Sequence, residues 1–188
     1  GWEGRKLDED RLLSAITKQL QAERQKVELP NEEKIPVFFQ SADSFGAFLM
    51  RQLNGEVYGN KVSLFDNKIG EKLFNDKVTV VQNNNPKTSF SKFFDAEGVT
   101  MENDTVTLIE NGVLKRVFTD KKNAKKFKLE HTGSASGGYD DIPKLAFTSI
   151  RPQIDSTDIH KTLNGKMAIL VLVAAGGEFN ADGNYATP

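Results

Sequence analysis

The residues best suited to chemistry are few. The chain has two histidines, His131 and His160, and no cysteine. Thiolate nucleophiles, disulfides and thiolate metal sites are therefore excluded, and the lack of cysteine fits a reducing compartment. Neither histidine lies in an HExxH pattern, so no single helix can aim two imidazoles at one zinc ion. Gly133-Ser134-Ala135-Ser136-Gly137 has the outer glycines of a nucleophile elbow, but alanine stands at the centre, where the attacking serine must be. A flexible Gly/Ser loop is the reading that remains. Neither GxxxxGK[ST] nor a GxGxxG between strand and helix occurs, which leaves phosphate-cradling backbone nests without support. Asn180-Ala181-Asp182-Gly183-Asn184 offers oxygen donors beside a glycine, yet it lacks the spacing and terminal glutamate of a calcium loop and reads as a tight turn. Lys121, Lys122, Lys125, Lys126 and Lys128 could touch phosphates, but only Phe127 is interleaved with them, so a solvated helix face is expected. His131 with Asp140 or Asp141 is the most reachable acid–base set for an autonomous hydrolase. On this reading no residue is assigned a catalytic or metal-ligating role, and the binding residues are unknown.

Charge and length bound what these residues can serve. With 25 Lys+Arg against 26 Asp+Glu, the 188-residue chain has a net charge of −1 and no overall field that would gather nucleic acid or anionic lipid. That length carries one substantial core or two small ones. The most apolar run, Met167 to Ala175, is far shorter than the roughly 20 residues of a spanning helix. A soluble, cytoplasmic protein is expected, with no membrane partner and nucleic acid disfavoured. The start at Gly1-Trp2 and the stop at Pro188 after a polar stretch read like a piece of something longer.

The elements that must position these residues follow from periodicity. From Asp8, the segment DEDRLLSAITKQLQAERQK sets Leu12, Leu13, Ile16 and Leu20 at helical spacing, with acidic residues in the first turn and Pro30 as the stop. Ile35–Phe39 predicts a short strand, with Pro36 near its start. Ser41 then caps a second helix whose face is Phe45, Phe48, Leu49 and Leu53, ended by Asn54-Gly55. Beyond Val78 the β-branched runs Val78–Val81 and Thr105–Ile109 predict strands. Asn111-Gly112, between Thr105–Glu110 and Val113–Thr119, predicts a tight hairpin because both residues tolerate positive φ. Asp120 caps a lysine-rich helix through Lys128, the Gly133–Gly138 loop follows, and strands are expected at Leu145–Ile150 and at the buried-looking Ala168–Val173. The order predicts an α+β fold: N-terminal helix, strand and helix, followed by a mainly antiparallel β-rich domain.

Several blocks also occur in a familiar order: Lys68-Ile69-Gly70-Glu71-Lys72-Leu73-Phe74, Val78-Thr79-Val80-Val81, Phe94-Asp95-Ala96-Glu97-Gly98-Val99 and Leu108-Ile109-Glu110-Asn111-Gly112-Val113-Leu114. Together they resemble the TldD/PmbA family. Asp95, Glu97 and Gly98 match its DDEG-type turn, and Thr132-Gly133-Ser134-Ala135 looks like its STGN-type segment. The resemblance covers about Ile35 to Ile150, with a fainter match at Gly176–Tyr185. It implies that residues 1–34 are a helical lead-in from a preceding domain and that residues 35–188 are the family's C-terminal domain, cut short at its end.

Members of that family, labelled modulators of DNA gyrase or peptide maturation proteins, form a metallopeptidase pair. One subunit carries an HExxxH zinc motif, and the PmbA or TldE type has lost it. The helix that would bear the motif corresponds to Ser44–Leu53, which contains neither histidine nor glutamate. The resemblance therefore implies a metal-free, PmbA-like subunit, inactive alone, with zinc held only by a TldD-like partner. The absence of cysteine agrees, because the active subunit is expected to supply a further zinc ligand of that type. Partners are then a TldD-like subunit or a second copy, and an extended peptide that could pair with the edges of the Thr105–Thr119 hairpin. Thr148-Ser149 stands where the family usually has Thr-Asn. The reading from a different class is a non-enzymatic protein- or nucleic-acid-binding module linked to gyrase modulation, with the lysine cluster as its support.

Overall fold

A computed structural model of the chain describes residues 7–28, 31, 34–39, 43–89, 91–153, 157–171, 178–179 and 184–186. The chain divides into two compact units, Gly1–Ser41 with Asp158–Ala174 and Ala42–Thr157 with Ala175–Pro188.

In the first unit, α1 (Glu9–Glu23) starts where the Asp8 carboxylate accepts the Arg11 N–H at 3.0 Å, with Glu9 and Asp10 in the first turn. It ends short of Pro30, once the apolar stripe has run out at Leu20. No described residue of α1 is buried; Leu13, Ile16 and Leu20 are all exposed. The predicted strand is β1 (Val37–Phe39), paired in parallel with β8 (Ile169–Val171). Leu170 of β8 is 59% exposed, so the described part of the Ala168–Val173 run is not the buried strand its composition suggests. β8 has one neighbour, in a two-stranded sheet, and such a pair buries little by itself. The short helix α5 (Ile159–Leu163) completes this unit.

The second unit holds the core. Its α2 (Asp43–Gln52) buries Leu49, with Leu53 just beyond its end, and Phe48 meets the Phe65 ring edge-on at 6.0 Å between centroids. The predicted Ser41 cap lies outside the described residues. Asn54 does more than stop α2: its side chain accepts from the Glu56 and Val57 N–H groups and caps α3 (Gly55–Gly59). A four-stranded antiparallel sheet runs in the order β4 (Val113–Leu114), β3 (Thr105–Glu110), β2 (Val80–Asn83), β7 (Ile150–Pro152). Val80, Val106, Leu108, Ile109, Leu114 and Ile150 of these strands belong to the buried core.

The Asn111-Gly112 hairpin is present, with φ of 49° and 79° and Ile109 opposite Leu114. Its second strand is shorter than the predicted Val113–Thr119. Lys115 and Arg116 both donate to Leu108 C=O, which turns the chain off the ladder. Phe118 is then held elsewhere, its N–H on Leu53 C=O and its own carbonyl accepting from Gly55. The capped helix is α4 (Lys121–Phe127), with Asp120 Oδ1 accepting from Asn123 N–H at 2.7 Å and Lys128 in the left-handed region.

The stretch expected as one strand at Leu145–Ile150 is split. Lys144–Leu145 forms β6, paired with β5 (Ala135–Ser136), whereas Ile150 begins β7. β9 (Glu178–Phe179) and β10 (Tyr185–Ala186) pair antiparallel across the Asn180–Asn184 segment, of which residues 180–183 lie outside the described set. Among the described residues, no helix is long and apolar enough to cross a membrane.

Candidate functional site

The first half of the segment expected to be a flexible Gly/Ser loop, through Ala135, is tied into the second unit. Thr132 and Ser134 are fully buried, and Ala135 nearly so. Gln82, reaching across from β2, donates Nε2–H to Thr132 C=O at 2.8 Å and accepts Ser134 Oγ–H at 2.7 Å. Thr132 Oγ1 lies 2.8 Å from Ser134 Oγ and accepts the Thr119 N–H at 2.8 Å. A buried polar chain of this kind is stable only when each member has a partner, and here each does. The small residues are there because three strands' worth of backbone and hydroxyls converge in little space, and composition alone does not distinguish that from mobility.

Asp95 fixes the opposite side. Its Oδ1 accepts from the Glu97 and Val99 N–H groups, both at 2.9 Å, which closes the Asp95–Val99 turn. Its Oδ2 accepts from Ala135 N–H at 3.1 Å, and Ala96 N–H donates to Ala135 C=O at 3.0 Å. Lys121 holds the turn from outside, its N–H on Glu97 Oε2 and its ammonium on Glu97 C=O, both at 2.9 Å. Asp95 is therefore a strut whose carboxylate holds three backbone N–H groups.

Between these walls lies an open cavity of about 380 Å³. Asn84, Ser91, Lys92, Phe94, Asp95, Ser136, Gly137, Thr148 and Ser149 contribute to its lining. Ser149 is left-handed, φ 47°, and its hydroxyl meets that of Ser91. Asparagine adopts that backbone more readily than serine, which is a physical reason for the Thr-Asn pattern at this place. Phe94, exposed at the cavity, stacks edge-on with Phe93 at 5.0 Å.

The remaining sequence candidates are dispersed. His131 is exposed in the second unit and makes no hydrogen bond to a described residue. The Asp141 carboxylate accepts from Ile142 N–H and faces Lys144, so no His131–Asp141 pair forms. His160 lies in α5, in the first unit. The lysines of α4 are solvent-exposed, with Lys126 over the Phe127 ring at 4.5 Å. The hairpin edge suggested for an extended peptide is occupied: Gly70 donates to Leu114 C=O, Leu114 to Glu71 C=O, and Leu73 and Phe74 to Gly112 C=O. The residues that sequence reasoning missed are Asn84 and Gln82, since the Gln82-Asn83-Asn84-Asn85 stretch that ends a β-prone run carries no motif.

Residues 32–187 match the family model of the PmbA/TldA metallopeptidase C-terminal domain. The chain belongs to the PmbA/TldD family. Among curated proteins it is 29% identical over 123 residues to an uncharacterised protein of Methanocaldococcus jannaschii, a match covering 62% of this chain and 29% of that one. Its fold is that of TldE from Thermococcus kodakarensis, with a TM-score of 0.76 at 24% identity over 97% of this chain and 42% of the other. A Bacteroides thetaiotaomicron protein described as a candidate modulator of DNA gyrase gives 0.68 at 22% identity, over 93% of this chain and 38% of its own. The chain thus spans less than half of each of these relatives. The family match bears out the resemblance carried by the DDEG-type and STGN-type segments, and the TldE likeness bears out the α+β fold.

Proposed function

We propose that this chain is the metal-free subunit of a TldD/PmbA-type metallopeptidase complex, acting in the cytoplasm on unfolded or extended peptides. The observation that carries the reading is the composition of α2. In a chain of this family, the helix corresponding to the HExxxH position reads Ser44-Phe45-Gly46-Ala47-Phe48-Leu49-Met50-Arg51-Gln52-Leu53, with no imidazole and no glutamate. Zinc bound by HExxxH needs two imidazoles, and the glutamate acts as the general base. The residues present do not fit that metal. Among the described residues no other group of three or more His, Cys, Asp or Glu stands close enough to hold one. Activation of water is therefore assigned to a TldD-like partner, and this chain contributes substrate contact.

The cavity beside the Thr132–Ala135 segment supports that second role. It is lined by donors and acceptors on rigid walls, and it falls within the roughly 300–1,000 Å³ range of ligand sites. The test is to mix the full-length parent with a TldD-like subunit of the same organism, co-purify them, and follow cleavage of an unfolded peptide. Cleavage by the co-purified pair and not by this chain alone supports the reading. Separate elution with unchanged turnover by the partner removes it. Salt-sensitive DNA binding would instead favour the gyrase-linked reading, since phosphate contacts weaken steeply with salt.

A further inference from the structure

Two polar groups at the cavity have no partner. Asn84 is 7% exposed and lines the cavity, and although its backbone N–H donates to Asp104 C=O, its side-chain amide makes no hydrogen bond to any described residue. Thr148 Oγ1, on a different segment of the same cavity, is buried and also unpaired. Buried polar groups are paired in the great majority of cases, and leaving one unmade is costly. Thr148 Oγ1 is such a group, and the Asn84 amide reaches the open cavity with no partner among the described residues; beside a network in which Gln82, Thr132 and Ser134 are all satisfied, the two leave hydrogen-bonding capacity for an occupant.

The lining decides what that occupant is. An asparagine amide offers both a donor and an acceptor, and a hydroxyl offers either. Together they complement a group that is itself donor and acceptor, as a peptide unit is. The charges leave no bias toward an ion. Lys92 is balanced by Asp95, whose carboxylate is already engaged by three N–H groups. The exposed Phe94 ring gives an apolar neighbour for a side chain. Resting on the peptide-substrate reading above, we infer that Asn84 and Thr148 form a subsite that holds one uncharged main-chain amide unit of an extended peptide. The wall at Gly133–Ala135 is held in place beforehand by the Gln82 and Asp95 hydrogen bonds, so little ordering is needed on binding.

The probe is a blocked hexapeptide of alanines with one central phenylalanine, titrated into the isotope-labelled protein and followed by NMR. Saturable shifts of the Asn84 side-chain amide and of the Thr148 backbone amide are expected. Thr148→Val and Asn84→Leu should each weaken binding about fivefold, the loss of one neutral hydrogen bond. A backbone N-methylated version of the peptide should not bind. Thr148→Val should leave the melting temperature unchanged or higher, because it removes an unpaired hydroxyl. Absence of binding, shifts confined to other regions, or an affinity of both variants equal to that of the unsubstituted protein overturns the subsite. So does a lower melting temperature for Thr148→Val, which would show that a structural water alone satisfies the hydroxyl. Cleavage by the mixed complex with an unaltered KM in both variants would reject the subsite and leave the peptidase reading intact. Peptide binding without cleavage in any mixture would do the reverse.

Discussion

Replacing Asp95 by asparagine changes one atom and isolates one hydrogen bond. The carboxylate accepts three backbone N–H groups, two on Oδ1 and one, from Ala135, on Oδ2. In Asp95→Asn the amide oxygen can keep the Glu97 and Val99 bonds, but an NH2 group then faces the Ala135 N–H. Asp95 is 8% exposed and Ala135 is 3%, so little water can replace the lost acceptor. A hydrogen bond to a charged group contributes about 1.5–3 kcal/mol, so a loss of about 2 kcal/mol is expected. Amide hydrogen exchange reads this directly. The amides of Leu108 and Ile109, at the fully buried centre of β3, exchange through opening of the whole unit. A loss of about 2 kcal/mol accelerates them roughly thirtyfold. Asp95→Ala, which strands all three N–H groups, should cost more than Asp95→Asn. Unchanged exchange at Leu108 and Ile109 in Asp95→Asn, with Ala135 still protected, would refute the strut assignment.

Three further perturbations probe the frame around the cavity. Gln82→Leu keeps much of the shape but removes the partners of Ser134 Oγ and the Thr132 carbonyl; a loss of about 2–3 kcal/mol is expected in urea unfolding, with the m-value unchanged. Gly112→Ala should cost more than Gly70→Ala, although both glycines have positive φ: a Cβ on Gly112 would stand 2.2 Å from Phe74 O, whereas at Gly70 it meets nothing, and equal thermal shifts would contradict this. Burial, aided by the Asp66 carboxylate, raises the Tyr58 phenol above its usual value near 10.0. The folded state therefore keeps its proton where the unfolded chain has lost it, so this stability is intact below pH 10.0 and falls as pH rises through the folded value. Tyr58→Phe should flatten that alkaline decline in melting temperature.

Elements set by local chemistry were legible in the sequence. Asp8 and Asp120 as caps, the Asn111-Gly112 turn and the strand at Thr105–Ile109 depend on side chains within a few residues of the feature they determine. The family blocks were legible for the same reason, being contiguous. What was not legible depends on distant partners. Thr132–Ala135 has the composition of a mobile loop, and it is tied by partners distant in sequence: Gln82, fifty residues earlier, Asp95, forty residues earlier, and Thr119. The hairpin edge looked free because its cover, Gly70–Phe74, contributes backbone groups that no residue type announces. The cavity was likewise hidden: Asn84 and Thr148 come from separate strands' ends, and their common feature, the lack of a partner, exists only in three dimensions.

The central claim is that this chain takes part in peptide cleavage without a metal of its own. Zinc content measured on the same samples as peptide turnover tests it most directly: the full-length parent alone, the TldD-like subunit alone, and the two mixed, each saturated with zinc and desalted. The expected result is one zinc per TldD-like subunit in the active mixture and none retained by this protein alone, which should also be inactive. Stoichiometric zinc on this protein alone, or cleavage by it without a partner, would contradict the account.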